Sequence, residues 1–381
     1  MSDIGPSTKK VPSVWLMMGH RAGDNSQVLA LAEALGWPYE IRRFAYKSYE
    51  LLINLTHGPT LSGTLPDQSS HLEPPWPDLV ISAGRRNEPI CRWIQQQAKR
   101  EKHVRLIHIG RPWANFGRFD LIITTPQYRL PQHPHILQNN TPLHRVSQKR
   151  LESDAADWAD KLQGMPPPYI AVIVGGNSGP YSYDREAARR LGKQASKLAR
   201  QYGASLLVTT SARTRADTIQ VLRDEIDVPC HFYQWRPDAE DNPYFAFLGL
   251  ADRIIVTGDS VSMMTEACAT GKPVYLFDLG QGWRAMRRQL PGKPKLLDKY
   301  LKKPRDSFDF RAFVYLSGMH LGPNRITRDI RIIHDYMISS GRAAWLGEGH
   351  PLESPPPLED ISRAVERVHT LFPELSTAKS G

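Results

Sequence analysis

Apolar runs of four to six residues punctuate the chain, and each gives way to a polar or glycine-containing turn and then to a stretch with helical spacing. In the first half the runs are Val14–Met18, Leu79–Gly84, Val104–Ile109 and Leu121–Thr124, with helical stretches at 26–35 and 89–100. In the stretch 26–35, Val28, Leu29, Leu31, Ala32 and Leu35 recur at helix spacing and Gly36 stops them. The second half repeats the pattern, with runs at 169–174, 205–210, 231–234, 253–257 and 273–277 and helical stretches at 184–201, 214–225, 244–250, 261–269 and 324–340. Short continuous apolar runs with helices between them predict parallel sheets covered on both faces.

An amphipathic helix at 148–162 ends at Gly164-Met165-Pro166-Pro167-Pro168, and a triple proline cannot continue a helix, so it suits a hinge. The expected fold class is α/β, with two Rossmann-like doubly wound domains facing a cleft. Residues 11–163 form the first and 168–341 the second, and a tail over 342–381 carries a helix at 358–372 that returns to the first domain. A length of 381 residues agrees with two domains. No run reaches the roughly 18 apolar residues that a spanning helix needs. The opening MSDIGPSTKK carries Asp3 and no apolar core, which argues against a secretory signal. The cysteines number 3, too few and too scattered for a disulfide framework or a zinc ribbon. A formal net charge of +10 favours anionic partners: nucleotides, phosphorylated lipids or nucleic acid. The protein is expected in the cytoplasm.

Ligands of doubly wound sheets sit at the carboxyl ends of the strands, so the residues just after each strand matter most. In the run from Ile254 to Val274, a strand leads into Gly258-Asp259-Ser260, then a helix, then Gly271-Lys272-Pro273. Ser260 and Ser262 put hydroxyls at a helix N-terminus, where unpaired amides and the positive dipole end favour an anion. Glu266 lies further along that helix, where a carboxylate can accept from the adjacent hydroxyls of a ribose. The plainer alternative is that Asp259 or Ser260 caps the helix and Glu266 is solvated. After the strand at 169–174, the turn Gly175-Gly176-Asn177-Ser178 lets backbone amides approach a phosphate, with Asn177 able to bind it directly, unless the turn is only a turn. After 205–210, Ser211 and Arg213 stand where a diphosphate would lie, Arg213 able to neutralise it and Ser211 equally able to serve as a helix cap.

In the first half, Gly19-His20-Arg21-Ala22-Gly23-Asp24-Asn25 offers an imidazole and a carboxylate, either of which can take a proton from a hydroxyl nucleophile. A capping role for Asp24 is the alternative and is compatible with catalysis. Arg85 and Arg86, after the strand at 79–84, suit an acidic acceptor or are plain surface charge. The histidines at 57, 71, 103, 133, 135 and 144 show no paired ligand spacing, so no metal is assigned.

Several of these motifs, in this order, resemble one known family. They are Gly23-Asp24-Asn25-Ser26-Gln27, Val174-Gly175-Gly176-Asn177-Ser178, Thr209-Thr210-Ser211-Ala212-Arg213-Thr214, Asp241-Asn242-Pro243-Tyr244, and Thr257-Gly258-Asp259-Ser260-Val261-Ser262-Met263-Met264 with Glu266. The family is the bacterial and plant one named after the plant mitochondrial-fission "elongated mitochondria" protein, and the likeness runs from about Val14 to Arg342. It is similar to the GT-B glycosyltransferases, with a nucleotide sugar on the C-terminal domain and an acceptor on the N-terminal one. The resemblance implies that Ser260, Ser262 and Glu266 hold the donor's diphosphate and ribose, with Gly176, Asn177, Ser211 and Arg213 lining the same pocket, and Asp259 is counted with the donor-binding residues. It implies Asp24 as the base, at a place where glutamate also occurs; His20 as the alternative base, and Arg85 and Arg86 on the acceptor side, are read from the turns themselves.

The leading expectation is an inverting, metal-independent glycosyltransferase that uses a nucleoside-diphosphate sugar as donor substrate and no separate cofactor. No Asp-x-Asp pair is present to hold a metal. The basic surface suits a phosphorylated lipid or lipopolysaccharide-type acceptor at a membrane's inner face, with no nucleic acid and no transmembrane segment involved. The alternatives are a nucleoside-diphosphate-sugar epimerase and a non-catalytic adaptor at a membrane surface.

Overall fold

The computed structural model describes residues 11–48, 58–237, 239–281, 285–287 and 328–376. The chain divides into two compact units: residues up to Arg145 together with those from Glu359 onward, and Val146–Leu358.

The first unit is built on six parallel strands: β1 (Val14–Met18), β2 (Tyr39–Arg43), β3 (Leu79–Ala83), β4 (Arg105–Ile109), β5 (Leu121–Thr124) and β6 (Ile136–Gln138). They lie in the order β2-β1-β3-β4-β5-β6. Strand alternation splits the apolar side chains between two layers. Val14, Leu16 and Met18 pack with helix α1 (Ala22–Leu35) and with Ala364 and Val368 of the C-terminal helix α9 (Asp360–His369). Trp15 and Met17 pack on the other side with Ile90 and Ile94 of helix α2 (Glu88–Ala98).

The second unit has its own six parallel strands: β7 (Tyr169–Ile173), β8 (Ser205–Thr209), β9 (Cys230–Tyr233), β10 (Arg253–Thr257), β11 (Val274–Phe277) and β12 (Ala343–Trp345). Their order, β12-β11-β10-β7-β8-β9, is the 3-2-1-4-5-6 arrangement of dinucleotide-binding folds when read from β9. Its helices are α3 (Gln148–Ala159), α4 (Arg185–Tyr202), α5 (Ala216–Asp224), α6 (Tyr244–Leu250), α7 (Val261–Ala269) and α8 (Arg331–Ser339). The strand order reverses beside the first strand of each unit, between β1 and β3 and between β7 and β10. A crevice opens beyond the strand ends at such a point, and the candidate residues cluster there.

Several elements differ from expectation. Strands β2, β6 and β12 went unpredicted because all three lie at sheet edges and β6 and β12 have only three residues each; in β2, Tyr39 and Ile41 are each 39% exposed. Helix α1 starts at Ala22, four residues early, although Gly23, Asp24, Asn25 and Ser26 are weak helix formers. Asn25 supplies the reason: its side chain accepts from the Gly19 N–H and donates to the Gly19 carbonyl, each at 2.9 Å, and so ties the helix start to the end of β1. Helix α3, placed by sequence with residues 11–163, packs in the second unit. Trp158 meets Phe247 edge-on at 5.6 Å, and Gly249 lies so close to Leu151 that a Cβ there would stand 2.5 Å from its carbonyl oxygen. Residues 324–327 of the predicted helix 324–340, and His57, lie outside the described residues.

Helix α9 is tied to the first unit by the buried Asp360. Its carboxylate accepts from the Asn140 and Thr141 amides at 2.7 and 3.1 Å and from the Thr141 hydroxyl at 2.6 Å. Asp360→Ala strands those donors, so it is expected to cost roughly 2–3 kcal/mol, read as a lower urea midpoint, with Asp360→Asn losing less.

Candidate functional site

In the second unit, the turns after β7, β8 and β10 meet around one carboxylate. Asp259 is 1% exposed. Its Oδ2 accepts from the Gly176 amide at 3.0 Å and pairs with Arg213 at 2.9 Å. Among the described residues its Oδ1 has no hydrogen-bond partner, and it abuts Gly175, where a Cβ would lie 2.5 Å away. Burial pushes this carboxyl above the ordinary carboxylate value, and Arg213 and the hydrogen bonds oppose that. Asp259 therefore faces its neighbouring turns and ties them together.

The glycine turn needs a different account from the one its composition suggested. The Gly175 amide donates to the Thr257 hydroxyl at 2.8 Å and the Gly176 amide to Asp259, so neither is presented as a phosphate cradle. These positions are glycine because the chain is crowded: a Cβ on Gly176 would stand 2.2 Å from the Arg213 carbonyl oxygen. Asn177 closes the turn by accepting the Tyr183 amide at 2.7 Å, and its carbonyl accepts from Arg213 at 3.1 Å. Ser211 donates to the Gly175 carbonyl at 2.9 Å. Gly176, Asn177 and Ser211 are thus occupied in holding the turns, while Arg213 keeps an exposed guanidinium face, its side chain being 41% accessible.

The N-terminus of α7 follows directly. Ser260 is its N-cap residue, in extended backbone, and its side chain makes no capping bond. The first-turn amides of Val261, Ser262 and Met263 have no acceptor among the described residues, as helix geometry predicts for an uncapped start. Ser260 and Ser262 are half-buried beside them. Glu266 is buried, not solvated, and its Oε2 accepts from the Tyr244 hydroxyl at 2.6 Å. Burial, with the nearby carboxylate, pushes the Tyr244 hydroxyl well above its usual value, so it stays a donor that orients Glu266. At 1.5 Å rise per residue, Glu266 stands about 7.5 Å along the axis from Val261. Sequence reasoning gave Tyr244 no such role.

A further support was missed in sequence. His334 of α8 is wholly buried, and its Nε2 lies 2.7 Å from the Gly258 carbonyl, which makes Nε2 the protonated nitrogen. A Cβ on Gly258 would meet Met286 Sδ at 2.8 Å. Burial lowers the imidazole to about 4, so it is neutral at pH 7.

In the first unit, the turns after β1 and β3 enclose a concavity of about 60 Å³ lined by His20, Asp24, Tyr46, Arg85, Arg86 and Asn87. Asp24 lies in the first turn of α1, where the helix dipole favours a carboxylate. Its Oδ2 lies 2.9 Å from where a Cβ of Gly84 would be, and Gly84 has φ +72°, so glycine is required twice over. Buried Asn87 donates to the Met17 and Ala83 carbonyls at 2.9 and 3.3 Å and bonds the Tyr46 hydroxyl, which joins the two turns. His20 Nδ1 lies 3.5 Å from Arg86, and Arg86 also stacks over Tyr46. The predicted His20, Asp24, Arg85 and Arg86 are thus brought together in one place. Among the described residues, no cluster of His, Cys, Asp and Glu is arranged to hold a metal ion, and no helix is long and apolar enough to cross a membrane.

The Mitochondrial fission protein ELM1 of Arabidopsis thaliana is 29% identical over 52% of this chain and 51% of its own length, so the match spans about half of that relative. The uncharacterized protein RP120 of Rickettsia prowazekii is 25% identical over 70% of this chain and 83% of its own. Among solved structures, the UDP-GlcNAc 2-epimerase of Neisseria meningitidis, bound to UDP-GlcNAc, is 12% identical with a TM-score of 0.44, covering 95% of this chain and 100% of that one. A glycosyltransferase of Rickettsia africae is 10% identical with a TM-score of 0.42, covering 97% and 100%. The profile of the family described as Mitochondrial fission ELM1 matches residues 22–291, well over half of the sequence, and the chain belongs to that family.

Proposed function

We propose that the protein is a GT-B-type inverting glycosyltransferase that moves a sugar from a nucleoside-diphosphate donor to an acceptor hydroxyl. The observation that carries this reading is the uncapped start of α7 at the β7/β10 reversal, with Arg213 on one side and an oriented, buried Glu266 further along the helix. In this reading the diphosphate lies on the amides of Val261, Ser262 and Met263 and the hydroxyls of Ser260 and Ser262. Glu266 accepts from the ribose hydroxyls. Negative charge grows on the leaving diphosphate in the transition state, and donors that are already fixed there stabilise it without reorganising. Asp24 of the first unit takes the acceptor's proton, with His20 as the alternative base, and Arg85 and Arg86 hold an anionic acceptor such as a phosphorylated lipid or a lipopolysaccharide-core sugar.

Thermal melting with a panel of nucleoside diphosphates tests the donor half. A ligand that binds only the folded protein stabilises it, by about 2.7 kcal/mol at a hundredfold excess over Kd. One diphosphate is expected to raise the melting point. Glu266→Ala is expected to weaken it about 10–100-fold through loss of a charged hydrogen bond, and Glu266→Gln, which keeps a partner for Tyr244, controls for packing. Asp24→Asn is expected to lower turnover of the matching sugar nucleotide about 10²–10⁴-fold while preserving the melting shift. Retained turnover removes Asp24 from the mechanism. No shift with any diphosphate favours the adaptor reading, and turnover independent of acceptor favours an epimerase.

A further inference from the structure

Glu88, the first residue of α2, is 4% exposed, and the chemistry above does not use it. Burying a carboxylate is costly unless its oxygens are satisfied. Here Oε1 accepts from the Trp113 amide at 2.9 Å, and Oε2 from the Trp113 and Ala114 amides at 3.0 and 2.9 Å. A buried acid is therefore committed to fixing the turn that follows β4. That turn displays Trp113, one of the few large apolar side chains left exposed among the described residues, at 41%. The Arg85 guanidinium lies 4.4 Å over the Trp113 ring, and Arg85 also lines the first-unit concavity beside Asp24. A lone exposed aromatic is common on a protein surface and assigns nothing by itself. This one stands at the strand ends, with a cation against one face, on a turn pinned by a buried charge.

We infer that Trp113 and Arg85, held in place by Glu88, form a subsite for an anionic sugar, the indole meeting the apolar face of a pyranose and the guanidinium its charged substituent. This rests on the reading that the first unit takes the acceptor, and it narrows the acceptor class to sugars carrying a phosphate, sulfate or carboxylate. Arg86, beside His20 in the same concavity, adds to the positive field. Glu88 touches no substrate and acts as a positioning residue.

Burial raises the Glu88 carboxyl to about 7, against the opposing pull of the bonded amides and of Arg92 and Arg85. The charged or titratable groups that reach it are Arg85 in the preceding turn and Cys91 and Arg92 on its own helix; the opposing turn presents amides. The closed turn holds this carboxyl near 7 and an opened, solvated turn would return it toward 4.5, so protonation as pH falls through 7 favours the closed Trp113 turn.

Saturation-transfer NMR on the full chain tests this with glucose 6-sulfate, whose charge is constant over the range, and with glucose and inorganic sulfate as separate arms. Glucose 6-sulfate is expected to bind, at least tenfold more tightly than either arm. Trp113→Ala is expected to weaken it tenfold or more, and Arg85→Ala to reduce it to the level of glucose. Wild-type affinity is expected to rise several-fold from pH 8 to pH 6, while Glu88→Gln, which carries no charge, is flat over that range. Wild-type affinity in Trp113→Ala, inorganic sulfate binding as tightly as the sugar sulfate, or no binding of the sugar sulfate to the wild type would each overturn the inference. The readout needs no nucleotide, so a missing nucleoside-diphosphate shift contradicts the donor assignment without altering this result. An intact melting transition in each variant shows that it is folded.

Discussion

Gly176→Ala is expected to destabilise the second unit by about 3 kcal/mol, near the upper end for overpacking, and to abolish nucleoside-diphosphate binding with it. The added Cβ would stand 2.2 Å from the carbonyl oxygen and 2.5 Å from the carbonyl carbon of Arg213. Those are backbone atoms and cannot rotate away, so the turn after β7 or the turn after β8 must move. Either movement pulls on the bonds that Asp259 makes to the Gly176 amide and to Arg213. A carboxylate that is 1% exposed would then lose its partners, which adds to the steric cost. The start of α7 follows Asp259 directly, so the proposed anion site should be displaced as well. Gly203→Ala is the control: Gly203 has φ +60° but nothing within 4 Å of its added Cβ, so only the left-handed strain of about 1 kcal/mol is expected there. Urea unfolding of both variants checks this. A Gly176→Ala midpoint no lower than that of Gly203→Ala would show that the turns are not packed as described.

Acid is expected to unfold the protein through two buried imidazoles. His108 in β4 and His334 in α8 are each 0% exposed, and burial lowers both to about 4. A histidine depressed in the folded state contributes stability that is complete above its unfolded value near 6.5 and is lost as pH falls toward 4. Each shift corresponds to about 3 kcal/mol. Glu88 works the other way. Its folded value is raised from 4.5 to about 7, so protonation between those values restores stability as pH falls, by a similar amount. With two histidines against one acid, the balance by pH 4 is a loss of about 3 kcal/mol. Melting temperatures recorded from pH 8 to pH 4 should fall below about 6.5. His334→Gln retains a donor for the Gly258 carbonyl and should flatten the profile, whereas Glu88→Gln should steepen it. A His334→Gln profile with the wild-type slope would contradict the assignment of neutral, buried His334.

Much of the fold is legible in the residues because the central strands are buried on both faces. Val14–Met18, residues 121–123 of Leu121–Thr124 and residues 254–256 of Arg253–Thr257 carry that burial as uninterrupted apolar runs and sit where the pattern places them. The edge strand Tyr39–Arg43 lacks the signal for a physical reason: it is exposed along nearly its whole length, so charged residues interrupt it. Helix α3 shows another limit. Its apolar stripe of Leu151 and Trp158 says that it packs on something, but only the close approach at Gly249 shows on what.

At the candidate site the residue types were readable and their roles less so. Gly175-Gly176 has the composition of a phosphate turn, yet its amides are used inside the protein, because Thr257 and Asp259 arrive from β10 and the turn after it, more than eighty residues away in sequence. Asp259 stands in the motif as a candidate ligand contact and becomes the post around which three turns are fixed. Tyr244, His334 and Glu88 act through partners distant in sequence, so nothing local to them announces a role.

The central claim concerns the first turn of α7, and amide chemical shifts report on it directly. Deuterated, ¹⁵N-labelled protein would be titrated with the nucleoside diphosphate that gives the largest melting shift. The account predicts that the Val261, Ser262 and Met263 amides move in step with saturation, and that Glu266→Ala suppresses the movement at the same nucleotide concentration. Saturable nucleotide binding that leaves those three resonances in place would contradict it.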